Sequence, residues 1–502
     1  MIFRLLLSIL LSLSTGLLLV CLLWPARTQF NSSWLIKLSV AVGLGLGLSS
    51  EIHFLWLWKP TRSLGGLVLT DLALLGSLAG ALFYLKIRFP KRREQKPTRY
   101  VRAEPIQRVP TPWALAAAFW VALVPAIYAF LSSFYNHPHG QWDAWMAWNL
   151  RARFFFRAGD HWRDAFSGLF LGANPEYPVL LPSTVARCWQ YAGQEVELAP
   201  VLVAALFTFA SVALTYSALC VLRSKGQGLL AGLLLVATPF FVQHGTSQYA
   251  DVPLGFFFLA SIVLLCLRDR IRPQAGGLLL LAGMAAGFAA WTKNEGLLFV
   301  VALTLVTAAV LVAKDGTRAY ASHQLVLTVG LLVVLPIVLY FKLYLAPSDP
   351  MLAWERSTLH KVIEWERYWQ ILKAFGRESL RFGNWPLEVT PLLAFYALLL
   401  GLSLEQSKKR STIISVGTLG LTLAGYFCVY LITPDELARY LHSTLQRLVL
   451  QLWPSAVFLF FLLVRTPEEA LSERSESPSG QGANDGWHKK RPLLDLRPPI
   501  PR

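Results

Sequence analysis

About thirteen stretches of this chain are apolar for long enough to cross a bilayer, whose core is about 30 Å thick and takes about 20 residues of helix. They fall at roughly 2–24, 34–54, 64–87, 113–133, 198–222, 228–246, 251–267, 275–291, 295–313, 324–346, 386–404, 411–432 and 448–465. In lipid, backbone polar groups must be satisfied inside a helix or a closed barrel. The runs are continuous rather than alternating, which argues against a barrel. The expected fold class is therefore all-α: a polytopic membrane protein of about thirteen transmembrane helices. Composition agrees, since 55% hydrophobic residues and a mean hydropathy of +0.48 are too apolar for a soluble chain.

The net charge is +17, yet no nucleic acid partner is expected. The positive residues gather in loops between spans, where they set topology. The richest loop, Arg88 to Arg108, carries Lys91, Arg92, Arg93, Lys96, Arg99 and Arg102 and is expected to be cytoplasmic. Counting spans from it places Arg223 and Lys225, then Arg268, Arg270 and Arg272, then Lys314 and Arg318, then Lys408, Lys409 and Arg410 on the same side. The long external segments are then 134–197 and 347–385. Four parts follow: N-terminal transmembrane helices over 1–87, a basic cytoplasmic linker over 88–112, a transmembrane catalytic unit over 113–465, and a tail over 466–502. The tail is rich in Ser, Gly, Pro and charge and reads as disordered. The first span is longer than a signal-peptide core and lacks a clear cleavage site, so it is expected to be retained. Of the five cysteines, Cys21, Cys220, Cys266 and Cys428 lie in expected spans, Cys188 does not, and none forms a CxxC. No disulfide framework or zinc signature follows.

The topology brings three motifs to one side of the membrane: Trp142-Asp143-Ala144-Trp145, Gln248-Tyr249-Ala250-Asp251-Val252-Pro253 and Trp291-Thr292-Lys293-Asn294-Glu295-Gly296. Ionisable groups at membrane depth are costly and face a cavity or a partner. Asp143 is the first choice for a general base, the alternative being a loop-pinning pair with Arg151 or Arg153. Asp251 suits a helix N-cap, with Pro253 in the first turn, and can also orient an acceptor or a metal. Lys293 can hold a phosphate as a point charge or snorkel to the interface. Glu295 can pair with it. Arg151 and Arg153 can contact phosphate oxygens, but positions two apart do not share a helix face. Before the last span, His442 and Arg447 can meet the same phosphate. No Walker A loop, GxGxxG turn or GxSxG elbow is present, so a nucleotide substrate is not expected.

With these pieces in order, residues 112–465 resemble the GT-C glycosyltransferase superfamily, and within it the branch of protein O-mannosyltransferases and lipid A aminoarabinose transferase. The resemblance rests on an acidic residue in the first external loop (Asp143) and a surface helix opened by Tyr177-Pro178-Val179-Leu180-Leu181-Pro182. It rests also on a span led by Ala250-Asp251-Val252-Pro253 and on the Thr292-Lys293 turn. It implies inverting transfer from a polyprenyl-phosphate sugar, with Asp143 as base and Lys293 on the lipid phosphate. Tyr177, Asp251, Glu295 and His442 would shape the acceptor side, and Arg151, Arg153 and Arg447 would join Lys293. The acceptor would be a glycan, lipid or protein hydroxyl at the outer side of a bacterial inner membrane. No cofactor is required, and a divalent metal is compatible. The sequence departs from the branch where Ala144 follows Asp143 in place of a second acid, and where Tyr177 precedes Pro178 in place of Pro-Pro. Alternative readings are a transporter or flippase for lipid-linked saccharide, and an O-antigen ligase or polymerase using the 347–385 loop.

Overall fold

The computed structural model describes residues 1–25, 33–88, 113–169, 174–271, 276–349 and 356–470. The expected basic linker, apart from Arg88, and the tail beyond 470 lie outside the described residues. Met1–Thr466 forms one compact unit. Its described elements are helical, with a single isolated bridge between Leu402 and Val464. The chain is an all-α polytopic membrane protein.

The first four helices are α1 (Ile2–Leu23), α2 (Ser33–Trp56), α3 (Leu64–Arg88) and α4 (Trp113–Asn136). A π-helical turn, Ala144–Trp148, leads into α5 (Asn149–Arg157), and a 3-10 segment, Gly159–Phe166, follows. Then come α6 (Leu180–Ala192), α7 (Leu198–Leu222), α8 (Lys225–Ala237), α9 (Pro239–Thr246), α10 (Asp251–Ile271) and α11 (Gly276–Thr292). The rest are α12 (Asn294–Leu331), α13 (Leu335–Tyr344), α14 (Arg356–Ile363), α15 (Trp365–Arg381), α16 (Val389–Leu400), α17 (Leu404–Ser407), α18 (Arg410–Ile432) and α19 (Leu437–Leu463).

Each of the thirteen apolar runs forms helix, but not all are full straight spans. Nine helices among the described residues are long and apolar enough to cross a membrane. Two helix pairs are equally apolar but bent, α8 with α9 at 61° and the end of α12 with α13 at 59°, the form of a broken span or a re-entrant loop. Pro239 opens α9, and Pro336 lies in the first turn of α13. Proline cannot continue the preceding helix but is pre-organised for the start of a new one. α11 and α16 are shorter apolar helices. α10 is buried almost all round, as a helix apolar on every face should be. It is the axis of the site, because its N-terminal residue is Asp251.

The first three helices are pinned to the rest by polar contacts. The Arg187 guanidinium, on α6, donates to Asp71 on α3 at 2.8 Å and to the Ser12 hydroxyl on α1 at 2.9 Å. Both ends of the Arg187–Asp71 pair are buried. Trp291, at the end of α11, donates its indole N–H to Ser50 on α2 at 3.0 Å.

Candidate active site

Asp251 begins α10 and is wholly buried. Its carboxylate does not cap the helix. It accepts from Lys293 Nζ at 3.0 Å, from Gln451 Nε2 at 2.7 Å and from Arg447 Nε at 2.9 Å. A buried charge needs this many donors, since the desolvation cost is several kcal/mol, to order of magnitude. Lys293 is presented by the break between α11 and α12, where its backbone is extended, at φ −155° and ψ 159°. Gly296 permits the close approach: a Cβ there would lie 2.0 Å from the Ala289 carbonyl oxygen. The Lys293 ammonium also reaches Glu295 at 2.8 Å. Burial opposes its charge, but the Asp251 and Glu295 carboxylates outweigh burial and hold its pKa above the ordinary 10.5.

The opposite wall is α19. Arg447 and Gln451 are four residues apart and so share one helix face. Gln451 Nε2 faces both Asp251 and Glu295, the latter at 3.4 Å. Its carbonyl oxygen accepts from the Tyr426 hydroxyl, on α18, at 2.7 Å. The Asp251 and Glu295 carboxylates, which only accept, fix which end of the amide faces them. Arg447 Nη2 lies 2.9 Å from Asp251 Oδ2 and 2.7 Å from Asp143 Oδ2. Its guanidinium also stacks over the Tyr249 ring, 4.9 Å from the centroid.

Asp143 stands between α4 and the π-helical turn Ala144–Trp148. Such turns are frequent at functional sites. Its side chain is 24% exposed, against 0% for Asp251. Its backbone N–H points to the Tyr249 hydroxyl at 3.4 Å. A partly exposed carboxylate, two cations and a buried counter-anion thus meet at one end of the bundle. The arrangement can accept a proton on one side and hold an anion on the other.

Residues 185–341 match the family model described as dolichyl-phosphate-mannose-protein mannosyltransferase. The matched stretch supports a GT-C glycosyltransferase domain. The matched stretch contains Asp251, Lys293 and Glu295, while Asp143 and Arg447 lie outside it. No curated protein and no solved structure matches the chain.

The fold brings Asp143, Asp251, Lys293, Glu295 and Arg447 into one connected cluster. Tyr177 joins its edge, with Lys293 Nζ 5.4 Å from the ring centroid and the Trp148 ring stacked on it at 5.9 Å. Arg151 does not reach the cluster's carboxylates. It is buried, donates Nη1 to the Tyr177 carbonyl at 2.5 Å and lies over Trp148 at 4.9 Å. Burial pushes its pKa down to about 10. Its role here is to hold the segment that carries Tyr177, with Lys342 donating to the neighbouring Glu176 carbonyl at 2.6 Å. Arg153 points away and pairs with Glu195 at 3.3 Å, as helical spacing requires of one of the two arginines. His442 is exposed, five residues before Arg447, and so lies off the face that carries Arg447 and Gln451.

Gln451, Tyr426, Tyr249 and Gln248 were not singled out as site residues from the sequence. Gln451 carried one readable signal, an amide four residues after Arg447 inside an apolar run. Tyr426 carried none, since a tyrosine in a span is ordinary. Among the described residues no three His, Cys, Asp or Glu side chains group as a metal site. The Asp251 carboxylate is already engaged by Lys293, Arg447 and Gln451.

Proposed function

We propose that this protein is an inverting glycosyltransferase that moves a sugar from a polyprenyl-phosphate carrier to an acceptor hydroxyl at the outer side of the bacterial cytoplasmic membrane. The observation that carries the reading is Arg447, whose guanidinium joins Asp143 to Asp251 beside Lys293. The family description names a dolichyl-phosphate mannose donor, so a polyprenyl-phosphate mannose is the first donor to try.

In this reading the acceptor hydroxyl gives its proton to the Asp143 carboxylate as its oxygen attacks C1 of the sugar. The bond between C1 and the phosphate oxygen breaks, and its electron pair leaves with the polyprenyl phosphate. The phosphate goes from one negative charge to two. Lys293 and Arg447, already held in place by Asp251, receive that growing charge as fixed cations. Asp251 is not the base, because its oxygens already accept from Lys293, Arg447 and Gln451. It fixes the two cations in place.

Charge counting sets the order of events. Three carboxylates face two cations, so the cluster carries one net negative charge before any substrate arrives. A donor phosphodiester adds another. One carboxylate must yield its cation, and Asp143 is the one at the exposed rim. The donor phosphate therefore displaces Asp143 from Arg447 and frees the base, so donor binding precedes proton transfer.

The test is transfer from radiolabelled polyprenyl-phosphate mannose to envelope acceptors by the purified protein in nanodiscs. The expected result is labelled product with inverted anomeric configuration. Failure with polyprenyl-phosphate donors, together with movement of a fluorescent lipid-linked saccharide between leaflets, would overturn the reading in favour of a flippase.

A further inference from the structure

The loop that carries Asp143 is fastened to the turn that carries Asp251 in part through a buried residue, Gln248. Its side chain is 5% exposed. Its Nε2 donates to the Pro138 carbonyl at 3.2 Å, and its Oε1 accepts from Asn149 Nδ2 at 2.8 Å. The same Asn149 nitrogen donates to the His139 carbonyl at 3.1 Å. One amide therefore grips the loop before Asp143, while its partner grips both that loop and the helix after it. The Gln141 N–H adds a bond to the Ser247 carbonyl at 3.2 Å.

Two backbone features show how closely the surfaces meet. Gly140 has φ +78°, and a Cβ there would lie 2.5 Å from Ala144 Cβ and 2.9 Å from Gln248 Oε1. Gln248 itself has φ +61°. Left-handed backbone is uncommon for any residue but glycine, and such conformations persist only where the surroundings over-determine them. A glycine would adopt this turn freely, so the turn alone does not call for glutamine. What glutamine adds is the pair of amide contacts.

We infer that Gln248 is a positioning residue that sets Asp143 in register with Asp251 and Arg447, acting through Asn149 and the 138–141 backbone. The inference rests on the reading of Asp143 as the base. Gln248 touches no reacting atom. It fixes the distance between the carboxylate that takes the proton and the cations that hold the phosphate. A displacement of about 1 Å at such a carboxylate can lower turnover by about 100-fold.

The deciding variant is Gln248→Gly, which suits the left-handed backbone and removes only the side chain. Expected are normal yield, polyprenyl phosphate affinity within about 3-fold of the parent, and turnover lower by about 10- to 100-fold. Amide hydrogen exchange across residues 137–145 should be faster. In the Asp143→Asn background Gln248→Gly should cost little more, since residues that act through one another are not additive. Asn149→Ala, on ordinary helical backbone, should behave the same way. Full turnover in Gln248→Gly, unchanged exchange over 137–145, or losses that multiply in the double variant would overturn the inference. Failure of the transferase reading looks different: the parent protein transfers no sugar while the exchange difference remains.

Discussion

The Nη2 atom of Arg447 stands 2.7 Å from Asp143 and 2.9 Å from Asp251, so one guanidinium holds together two carboxylates contributed by segments about a hundred residues apart. The guanidinium also donates Nε to Asp251 at 2.9 Å, a second contact from the same fork that a single ammonium nitrogen would not reproduce. Arg447→Lys should therefore keep the charge but lose one of the two contacts. The expected outcome is weaker polyprenyl phosphate binding and slower transfer with near-normal yield. Arg447→Ala leaves Asp251 short of a donor and should destabilise the protein by about 3–5 kcal/mol, as breaking buried pairs does. Yield, thermal unfolding in detergent and transfer rate together check both variants.

Asp143→Asn removes the proposed base while keeping its shape. Turnover should fall by about 10²–10⁴-fold. Polyprenyl phosphate should bind as well as before or more tightly, because the variant removes a negative charge that competes for Arg447. An Asn variant with full turnover would exclude Asp143 from proton transfer.

Lys293 should stay charged through the neutral range. Its folded pKa is raised above 10.5 by the Asp251 and Glu295 carboxylates acting against burial. A group with a raised folded pKa contributes fully below its unfolded value and loses the contribution as pH rises through the folded one. Binding of polyprenyl phosphate should thus be flat between about pH 7 and 9, where the phosphate is already dianionic, and fail only above 10.5. Lys293→Ala should weaken binding far more than Lys293→Arg, which keeps the charge. Titration of the binding constant against pH for the parent and both variants checks this.

Asp71→Ala should leave Arg187 buried without its carboxylate. The expected cost is about 3–5 kcal/mol, seen as lower yield and a lower unfolding temperature. Donor affinity in the surviving protein should be unaffected, because neither residue contacts the Asp251 cluster.

The proposed sidedness is open to labelling. In a background without its own cysteines, Asp160→Cys should react with an impermeant thiol reagent in intact cells, since Asp160 is 89% exposed. Lys96→Cys should react only after lysis. The reverse pattern would place the Asp143 cluster on the cytoplasmic side.

Much of this architecture was legible in the sequence because a bilayer imposes a length and a polarity on every span. Apolar runs about 20 residues long had no alternative to helix. The unusual charges at their ends, Asp143, Asp251, Lys293, Glu295 and Arg447, stood out against that background. The bends at Pro239 and in α12–α13 did not, since hydropathy averages over a break. Pairing was also beyond reach. Periodicity showed that Arg151 and Arg153 face apart, but only packing against Tyr177 and Glu195 showed that neither meets the cluster's carboxylates. Asp251 read first as a helix cap, and only the approach of α19 and of the α11–α12 break showed its carboxylate bound to Arg447, Gln451 and Lys293. Sequence determines which segments enter the membrane and which charges they carry, because those costs are local. Which charge meets which is decided by contacts between residues as far apart in the chain as Asp143 and Arg447, and such contacts exist only in the tertiary structure.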